Sequence, residues 1–429
     1  MTSLYGIPID IGAHIVDSLA NSENGQLHVK ACALVCRAFL PLCRKHIFRS
    51  VAINKPYSNS PRLHHARALF ARNPMLAQCV RKLDFCIRQE DFISPDFVFT
   101  LDYFTNVQYL NLWYHGIDKL DWQHLPRHAH KTFLHLLHLP TLVSLKLRNI
   151  TNVPIADLVP CINISHLAID QVEPLIADGR DQVHIQPSLV RKWRPLPSIH
   201  IEEYTFGLCS AALTNEMLHS TRSDGAPAFD FTGLKCFSAK CDSEDDLTTV
   251  HSLLSRAEGL EVIHLKISEA LSLRGLARFM QRSAVERTLK SASFAMCIND
   301  ESEDPLAGLC EELDDIRIQG QHQDRGANGN GVLNGNVLET LAIHVMILPD
   351  AGCKRGHEWG KLDAVLARPG WYALRRVSLQ VTIWDFMRIS SDILKYTLEM
   401  LLDTQFLYLS RNEDIDFRFN VDVKELMQE

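Results

Sequence analysis

Histidine is the only chemically reactive residue type that clusters in this sequence. Of the 20 histidines in the 429 residues, six fall close together: His115, His124, His128, His130, His135 and His138. The spacing of His124 and His128 would place two nitrogen ligands on one face of a helix. Zinc sites usually add closely spaced cysteine or carboxylate ligands, yet no cysteine occurs between Cys86 and Cys161. The pattern therefore favours a histidine-rich surface segment, and no metal or other cofactor is predicted.

Other signatures of catalysis are missing or have a simpler structural interpretation. Cys32 and Cys36 have the spacing of one helix face, but no histidine or second cysteine pair accompanies them, which indicates core packing. The sequence has no phosphate-binding loop, no dinucleotide fingerprint and no G-x-S-x-G elbow. We therefore predict no catalytic residues and no enzyme activity. An unrecognised hydrolase or transferase remains an alternative that no residue pattern supports.

The composition indicates an ordinary globular protein. The formal net charge is −7, with 46% hydrophobic and 22% charged residues, and this negative balance argues against a nucleic-acid partner. The 12 cysteines show no pairing rhythm, which suits a reducing compartment. The N-terminus does not resemble a signal peptide, and no apolar run approaches the roughly 18 residues of a membrane span. We expect a soluble intracellular protein, cytoplasmic or nuclear, with no membrane partner.

The first 55 residues have the pattern of a small helical module. Pro8 suits the first turn of a helix, and Asp10 adds negative charge near the positive helix end. An apolar stripe at helical spacing follows: Ile7, Ile11, Ile15 and Leu19. A turn at 21–25 leads to a second helix that Pro41 ends or bends, and a third short element follows around 47–51. Because so few residues make a thin core, we expect apolar surface to remain for a partner helix.

One pattern recurs through residues 56–429: apolar, two residues, apolar, one residue, apolar. Its ten instances have their central residues at Leu83, Leu110, Leu145, Leu167, Tyr204, Phe237, Ile263, Ala292, Leu341 and Val377. This is the strand signature of leucine-rich repeats, and segments between the strands read as helices, for example 64–72, 247–257, 271–282 and 361–367. Alternating strands and helices imply parallel strands joined by crossovers. We predict an α/β fold in which the helical module precedes an irregular leucine-rich-repeat solenoid.

The spacing of the repeats is uneven, from 22 to 49 residues between central positions. The longest interval contains 299–336, which is acidic at first and then rich in glycine and asparagine. We expect this segment to be a flexible, solvated insertion with a short helix around 306–318. An ordinary α/β domain whose buried strands match the pattern remains an alternative to the solenoid.

The N-terminal module resembles an F-box, on its proline–acid start, its amphipathic helix and the run Leu34-Val35-Cys36-Arg37. Ile7 stands where the family usually has leucine, and Phe39 stands where tryptophan is common. The whole layout resembles fungal F-box proteins with divergent leucine-rich repeats. The resemblance implies a substrate-recognition subunit of an SCF-type ubiquitin ligase that docks a Skp1-type adaptor, and through it a cullin. The adaptor-binding positions that it implies are Ile7, Pro8, Ile11, Ile15, Leu34, Val35, Cys36 and Arg37.

The residues that alternate with the inward apolar positions would form the concave strand face of a solenoid, a common binding surface. Because aromatic and arginine side chains often anchor interfaces, we expect an unidentified protein target to contact residues of this face. The candidates are Tyr109, Asn111, Trp113, Lys146, Arg148, His264 and Arg376. The alternative is a leucine-rich scaffold that acts without a ligase. In that case Ile7, Ile15 and Val35 would be buried against the first repeat.

Overall fold

The structure is a computed structural model that describes residues 8–35, 37–54, 62–175, 197–222, 224–268, 271–282, 285–322, 336–348, 353–354, 357–385 and 391–425. The chain is a mixed α/β protein with a large parallel sheet. It divides into two compact units. The first consists of Met1–Ile199 with His219–Phe229, and the second of His200–Leu218 with Asp230–Glu429.

The first unit begins with three helices: α1 (Ile9–Ala20), α2 (Gly25–Val35) and α3 (Phe39–Ile47). They pack around a small buried cluster of Val16, Val29 and Cys43. Cys32 packs against this cluster, which confirms its predicted core role, whereas Cys36 lies outside the described residues. Pro41 lies in the first turn of α3 rather than at the end of α2, and its missing N–H costs nothing there.

The strands of the first unit follow these helices directly. They are β1 (Ser50–Ile53), β2 (Lys82–Ile87), β3 (Tyr109–Tyr114), β4 (Leu120–Asp121), β5 (Ser144–Val153) and β6 (His166–Pro174). The order β1-β2-β3-β5-β6 is parallel throughout, and β4 pairs with β5. The central motif residues Leu83, Leu110, Leu145 and Leu167 stand side by side in this register and are buried.

The second unit repeats the arrangement with more strands. They are β8 (Glu203–Phe206), β10 (Cys236–Cys241), β11 (Val262–Ile267), β12 (Ser291–Ile298), β13 (Thr340–Ile347), β14 (Arg376–Asp385) and β15 (Asp416–Glu425). All pair in parallel in this order. Two short strands, β7 (Ile199–His200) and β9 (Phe229–Asp230), pair with each other. Tyr204 is fully buried in this core, and its hydroxyl lies 2.7 Å from the hydroxyl of Thr214.

Helices and turns connect the strands. They are α4 (Leu63–Arg72), α5 (Pro74–Ala77), α6 (Asp96–Leu101), α7 (Arg127–Leu137), α8 (Ile155–Leu158), α9 (Ala211–His219), α10 (Glu244–Leu254), α11 (Leu276–Arg282), α12 (Leu309–His322), α13 (His357–Leu366), α14 (Ser391–Glu399) and α15 (Leu401–Thr404), with short 3-10 helices at Gln89–Ile93 and Val285–Arg287. The four predicted helices correspond to α4, α10, α11 and α13, with ends displaced by up to five residues. Within the described parts of the chain, none of these helices has both the length and the apolar content to cross a bilayer.

All ten predicted strand motifs lie on parallel strands, which confirms that part of the fold prediction. Among the described residues, five strands were not predicted: β1, β15 and the two-residue strands β4, β7 and β9. Strand β1 carries the same pattern at Phe48, Val51 and Ile53 but was assigned to the helical module. Strand β15 has a pair of inward aromatics, Phe417 and Phe419, but has Asp414 at the first motif position.

The acidic segment after β12 packs its apolar side chains against the protein, while most of its carboxylates are exposed. Its helix α12 buries Leu309, Leu313 and Ile316. The buried Glu312 carboxylate accepts hydrogen bonds from the backbone N–H groups of Gly275 (2.7 Å) and Ala277 (2.8 Å). The short helix predicted around 306–318 is therefore present as α12, although it is packed into the fold rather than part of a flexible insertion. The glycine- and asparagine-rich half, 323–335, lies outside the described residues.

A recurring carboxylate closes the turn that leaves a strand. Asp91 accepts from the N–H of Arg88 (2.9 Å) after β2, Asp246 accepts from that of Asp242 (3.0 Å) after β10, and Glu303 accepts from that of Asn299 (3.1 Å) after β12. Each carboxylate lies three or four residues beyond the N–H that it accepts. Because a backbone N–H that leaves the ladder must find another acceptor, these side chains let the chain turn away from the sheet.

Asp91 is buried and joins several elements. Burial raises its pKa to about 6, although the hydrogen bonds from the Arg88 backbone and from the Asn54 side chain act in the opposite direction. The Asn54 amide donates to both carboxylate oxygens, at 3.0 and 2.9 Å. Asn54 in turn accepts from the N–H of Leu63 at 3.1 Å. Asp91 thus joins the end of β1, the start of α4 and the turn after β2.

We predict a specific pH dependence from Asp91. Its folded pKa lies above the value of about 3.9 expected in the unfolded chain, so between pH 4 and 6 the folded state binds more protons. The free energy of unfolding of the natural chain should therefore fall, relative to Asp91→Asn, as the pH rises from 4 to 6, and the difference should be constant above pH 7. The change should be roughly 1–3 kcal/mol, since a tenfold shift in protonation corresponds to about 1.4 kcal/mol. Urea denaturation of both proteins across this range measures it, and a relative gain in the natural chain would contradict the assignment.

Candidate functional site

The three N-terminal helices expose apolar side chains that their own core does not use. Leu34 is 88% exposed, Val35 74% and Leu27 64%, while Ile11 and Ile15 are 49% and 42% exposed. We call these five the exposed helix residues. On α1 the buried face is formed by Gly12 and Val16 instead. Single exposed apolar residues are ordinary, but several on one small unit are typical of a protein-binding surface.

The other predicted adaptor-binding residues have mixed outcomes. Pro8 caps the start of α1 and is exposed, and Arg37 is exposed in the turn between α2 and α3. Ile7 and Cys36 lie outside the described residues. The structure thus places six of the eight positions, all of them in or beside α1 and α2, and leaves their side chains at least partly accessible.

An ion pair holds α1 against α3. The Asp17 carboxylate lies 2.8 Å from Lys45 Nζ and 2.7 Å from His46 Nε2. The hydrogen bond from Lys45 and then that from His46 lower the pKa of Asp17. Because the carboxylate is solvent-exposed, this pair orients the two helices more than it stabilises them.

A close contact fixes the turn between α1 and α2. Gly25 is buried, and a Cβ atom at this position would lie 2.3 Å from the carbonyl oxygen of Ala20. Asn24 just before it adopts the left-handed conformation, with φ of 60°. The approach of α2 to α1 therefore depends on the absence of a side chain at Gly25.

Two of the predicted target-binding residues of the first unit, Asn111 and Trp113, meet at one carboxylate. Asp84 on β2 accepts hydrogen bonds from the amide of Asn111 (3.0 Å) and the indole N–H of Trp113 (3.2 Å) on β3. Tyr109 stands at the start of the same strand and is exposed, and Lys146 is the register neighbour of Asn111 on β5. These four predicted residues form one polar sheet surface.

The predicted arginines are engaged with carboxylates. Arg148 Nε lies 3.1 Å from Asp170, and Arg376 Nε lies 3.3 Å from Asp416, which also pairs with Arg418. His264 is exposed on β11, three strands away from Arg376 on β14. At about 4.8 Å per strand, these two residues of the second unit do not converge on one site.

The histidine cluster shows no metal-binding arrangement. His124 precedes α7 and lies 2.7 Å from Asp121, whereas His128 Nε2 lies 3.1 Å from the carbonyl oxygen of Phe92. His124 and His128 do not share a helix face, because the helix begins only at Arg127. Across the residues that the structure describes, no three His, Cys, Asp or Glu side chains are grouped to hold a metal ion.

Sequence reasoning missed a row of alternating charges in the second unit. The residue just before each strand from β8 to β14, apart from the short strand β9, continues the parallel hydrogen-bond ladder. The charge of its side chain alternates between negative and positive from one strand to the next. The row is Glu202, Lys235, Glu261, Lys290, Glu339 and Arg375. Lys235 Nζ lies 2.9 Å from Glu202, and Lys290 Nζ lies 2.9 Å from Glu261. We call this row the charged ladder; its sequence signal is the residue that follows the first apolar position of each motif.

Comparison with known proteins adds no assignment. No family model matches the chain, and no curated protein matches it significantly. The candidate sites therefore rest on the geometry described above.

We predict that Gly25→Ala destabilises the three-helix unit. The new methyl group would clash with backbone atoms of α1, and forced overpacking costs about 1–3 kcal/mol. Amide protons of α1 and α2 should exchange faster in this variant, as measured by hydrogen–deuterium exchange. The matched control is Gly233→Ala, where a Cβ atom meets nothing within 4 Å, so exchange should be unchanged. Equal exchange in both variants would contradict the close-contact role of Gly25.

Proposed function

We propose that this protein is the substrate-recognition subunit of an SCF-type ubiquitin ligase. In this proposal α1 and α2 dock a Skp1-type adaptor, the strand and helix units form a leucine-rich-repeat solenoid that holds a target protein, and a cullin complex supplies the ligase. The observation that carries the proposal is the exposure of Leu34 and Val35 on a unit that already has its own core. The protein would then act in the cytoplasm or nucleus.

The exposed helix residues are better explained by a partner than by a capping role. A scaffold whose first residues only cap the repeats would bury Ile15 and Val35 against the first repeat. Both are instead substantially exposed, at 42% and 74%. Burying a leucine-sized side chain is worth about 1.5–3 kcal/mol, so covering several of them would provide ample affinity for a stable complex.

The mechanism requires no catalytic residue in this chain. A receptor that binds adaptor and target together raises the effective concentration of the target at the ligase. The polar sheet surface around Asp84, with Tyr109, Asn111 and Trp113, is the best supported target site, because aromatic and polar groups converge there from adjacent strands. The predictions of a protein target and of no nucleic-acid partner belong to this proposal.

We predict that Leu34→Asp abolishes adaptor binding without unfolding the chain. A buried charge at an interface anchor should lower the affinity about 30-fold or more, which corresponds to a hot-spot effect of about 2 kcal/mol. Since Leu34 is 88% exposed, thermal unfolding followed by circular dichroism should be unchanged. Pull-down and calorimetry with a purified Skp1-type adaptor measure the binding.

The matched control is Ile93→Asp, which introduces the same charge at an apolar side chain that is 86% exposed and lies outside the three N-terminal helices, at the end of the 3-10 helix Gln89–Ile93. Adaptor binding should survive this change. If the natural chain does not bind the adaptor, the proposed function is wrong. If Leu34→Asp binds as well as Ile93→Asp does, the interface lies elsewhere.

A further inference from the structure

A concave pocket of about 250 Å³ lies between the helices and the sheet of the first unit. The end of α1, the first half of α2, the end of α3 and the starts of the first three strands form its wall. Its cationic side chains are those of Arg49, Arg81 and Lys82, and no Asp or Glu is among the described residues that line it. Tyr109 stands at its edge and is exposed. The pocket is therefore electropositive in a chain whose net charge is −7.

The backbone position of these cations explains why their arrangement is unusual. Arg49 and Arg81 stand just before their strands, at positions equivalent to those of the charged ladder in the second unit. The N–H of Arg81 donates to the carbonyl of Arg49, and the N–H of Gln108 donates to the carbonyl of Arg81. In the second unit each lysine of the row has a glutamate beside it. In the first unit Arg49 and Arg81 are neighbours just before adjacent strands, and Lys82 is the next residue after Arg81 in the sequence.

Among the residues that the structure describes, Arg49, Arg81 and Lys82 have no ion-paired carboxylate of the kind that the charged ladder provides for its lysines, whereas His46 contacts Asp17. Arg81 Nη1 donates to the carbonyls of Gln78 (2.9 Å) and Asn106 (3.2 Å). Within the described ranges, no carboxylate forms an ion pair with Arg49 or Lys82. Like charges on neighbouring strands repel each other. A bound anion would therefore reduce the repulsion among Arg49, Arg81 and Lys82.

We infer that this pocket binds an acidic side chain of a partner protein. A glutamate or aspartate of that partner would lie beside the arginines, as the glutamates of the charged ladder lie beside its lysines. Two observations select a peptide over a small-molecule ligand. The volume is below the range of roughly 300–1,000 Å³ that drug-sized ligands occupy, and it suits one or two side chains. Tyr109 also belongs both to the pocket lining and to the polar sheet surface, so a bound peptide would continue from the pocket along that surface. This inference does not depend on docking of the adaptor.

The test uses the full chain and a fluorescently labelled short oligoglutamate peptide, with oligoglutamine as the neutral probe. Fluorescence anisotropy should show binding of oligoglutamate only, weakening as salt is added. Arg49→Glu and Lys82→Glu should each lower the affinity about tenfold or more, because a charge-assisted hydrogen bond is replaced by repulsion. Both side chains are exposed, so unfolding temperatures should not change; Arg49→Gln and Lys82→Gln are milder variants if they do.

The matched control is Lys131→Glu, an equal change of net charge at an exposed lysine of α7 that does not line the pocket. It should leave peptide binding unchanged. No binding of oligoglutamate, or an equal loss in Lys131→Glu, would overturn the inference. So would tighter binding of inorganic phosphate than of the peptide, which would identify a small-anion site. Leu34→Asp should keep peptide binding, so failure of the adaptor hypothesis and failure of this one are distinguishable.

Discussion

The strands that carry the repeated motif each present a pair of apolar side chains on one face. This pair is buried only if the neighbouring strand places its own apolar pair at the matching register positions. The parallel register provides this: Leu83, Leu110 and Leu145 align in the first unit, as Phe237, Ile263 and Leu341 align with their neighbours in the second. No strand is stable alone, since its apolar row and its backbone groups are satisfied only by strands on either side. The lateral register is therefore the constraint on which the rest of the structure depends.

The chain must also leave the sheet after every strand, and the polar residues outside the motifs serve this need. Asp91, Asp246 and Glu303 accept the N–H groups that depart from the ladder. Pro154, directly after β5, has no N–H and so needs no acceptor at the same point. These turns deliver the helices to the apolar side of the strands. The opposite side is left to polar residues such as Asp84, Asn111 and Lys146.

The features of the fold that can be predicted from the sequence are those whose pattern lies within a few consecutive residues. The apolar spacing of a strand is local, and ten strands were predicted from it. Strand β15 was missed because Asp414 breaks the first position, and the turn carboxylates were missed because their acceptor role depends on where the chain goes next. For α1 the apolar stripe was visible, but the burial was not: Ile11 and Ile15 remain exposed while Gly12 and Val16 turn inward. An apolar stripe looks the same in the sequence whether the chain or a partner covers it. The packing of Val16 against α2 and the close contact at Gly25 depend on the three-dimensional structure.

The connection between α3 and β1 is short, which bears on the proposed role of the protein as a receptor. Helix α3 ends at Ile47 and β1 begins at Ser50, so only Phe48 and Arg49 separate them. Strand β1 then pairs with β2 along its whole length. A proximity mechanism works best when the two binding surfaces are held at a fixed separation, because a long flexible linker dilutes the effective concentration of the second partner. In this chain no such linker separates the exposed helix residues from the first strands. The orientation of a docked adaptor would therefore be transmitted directly to the polar surface around Asp84.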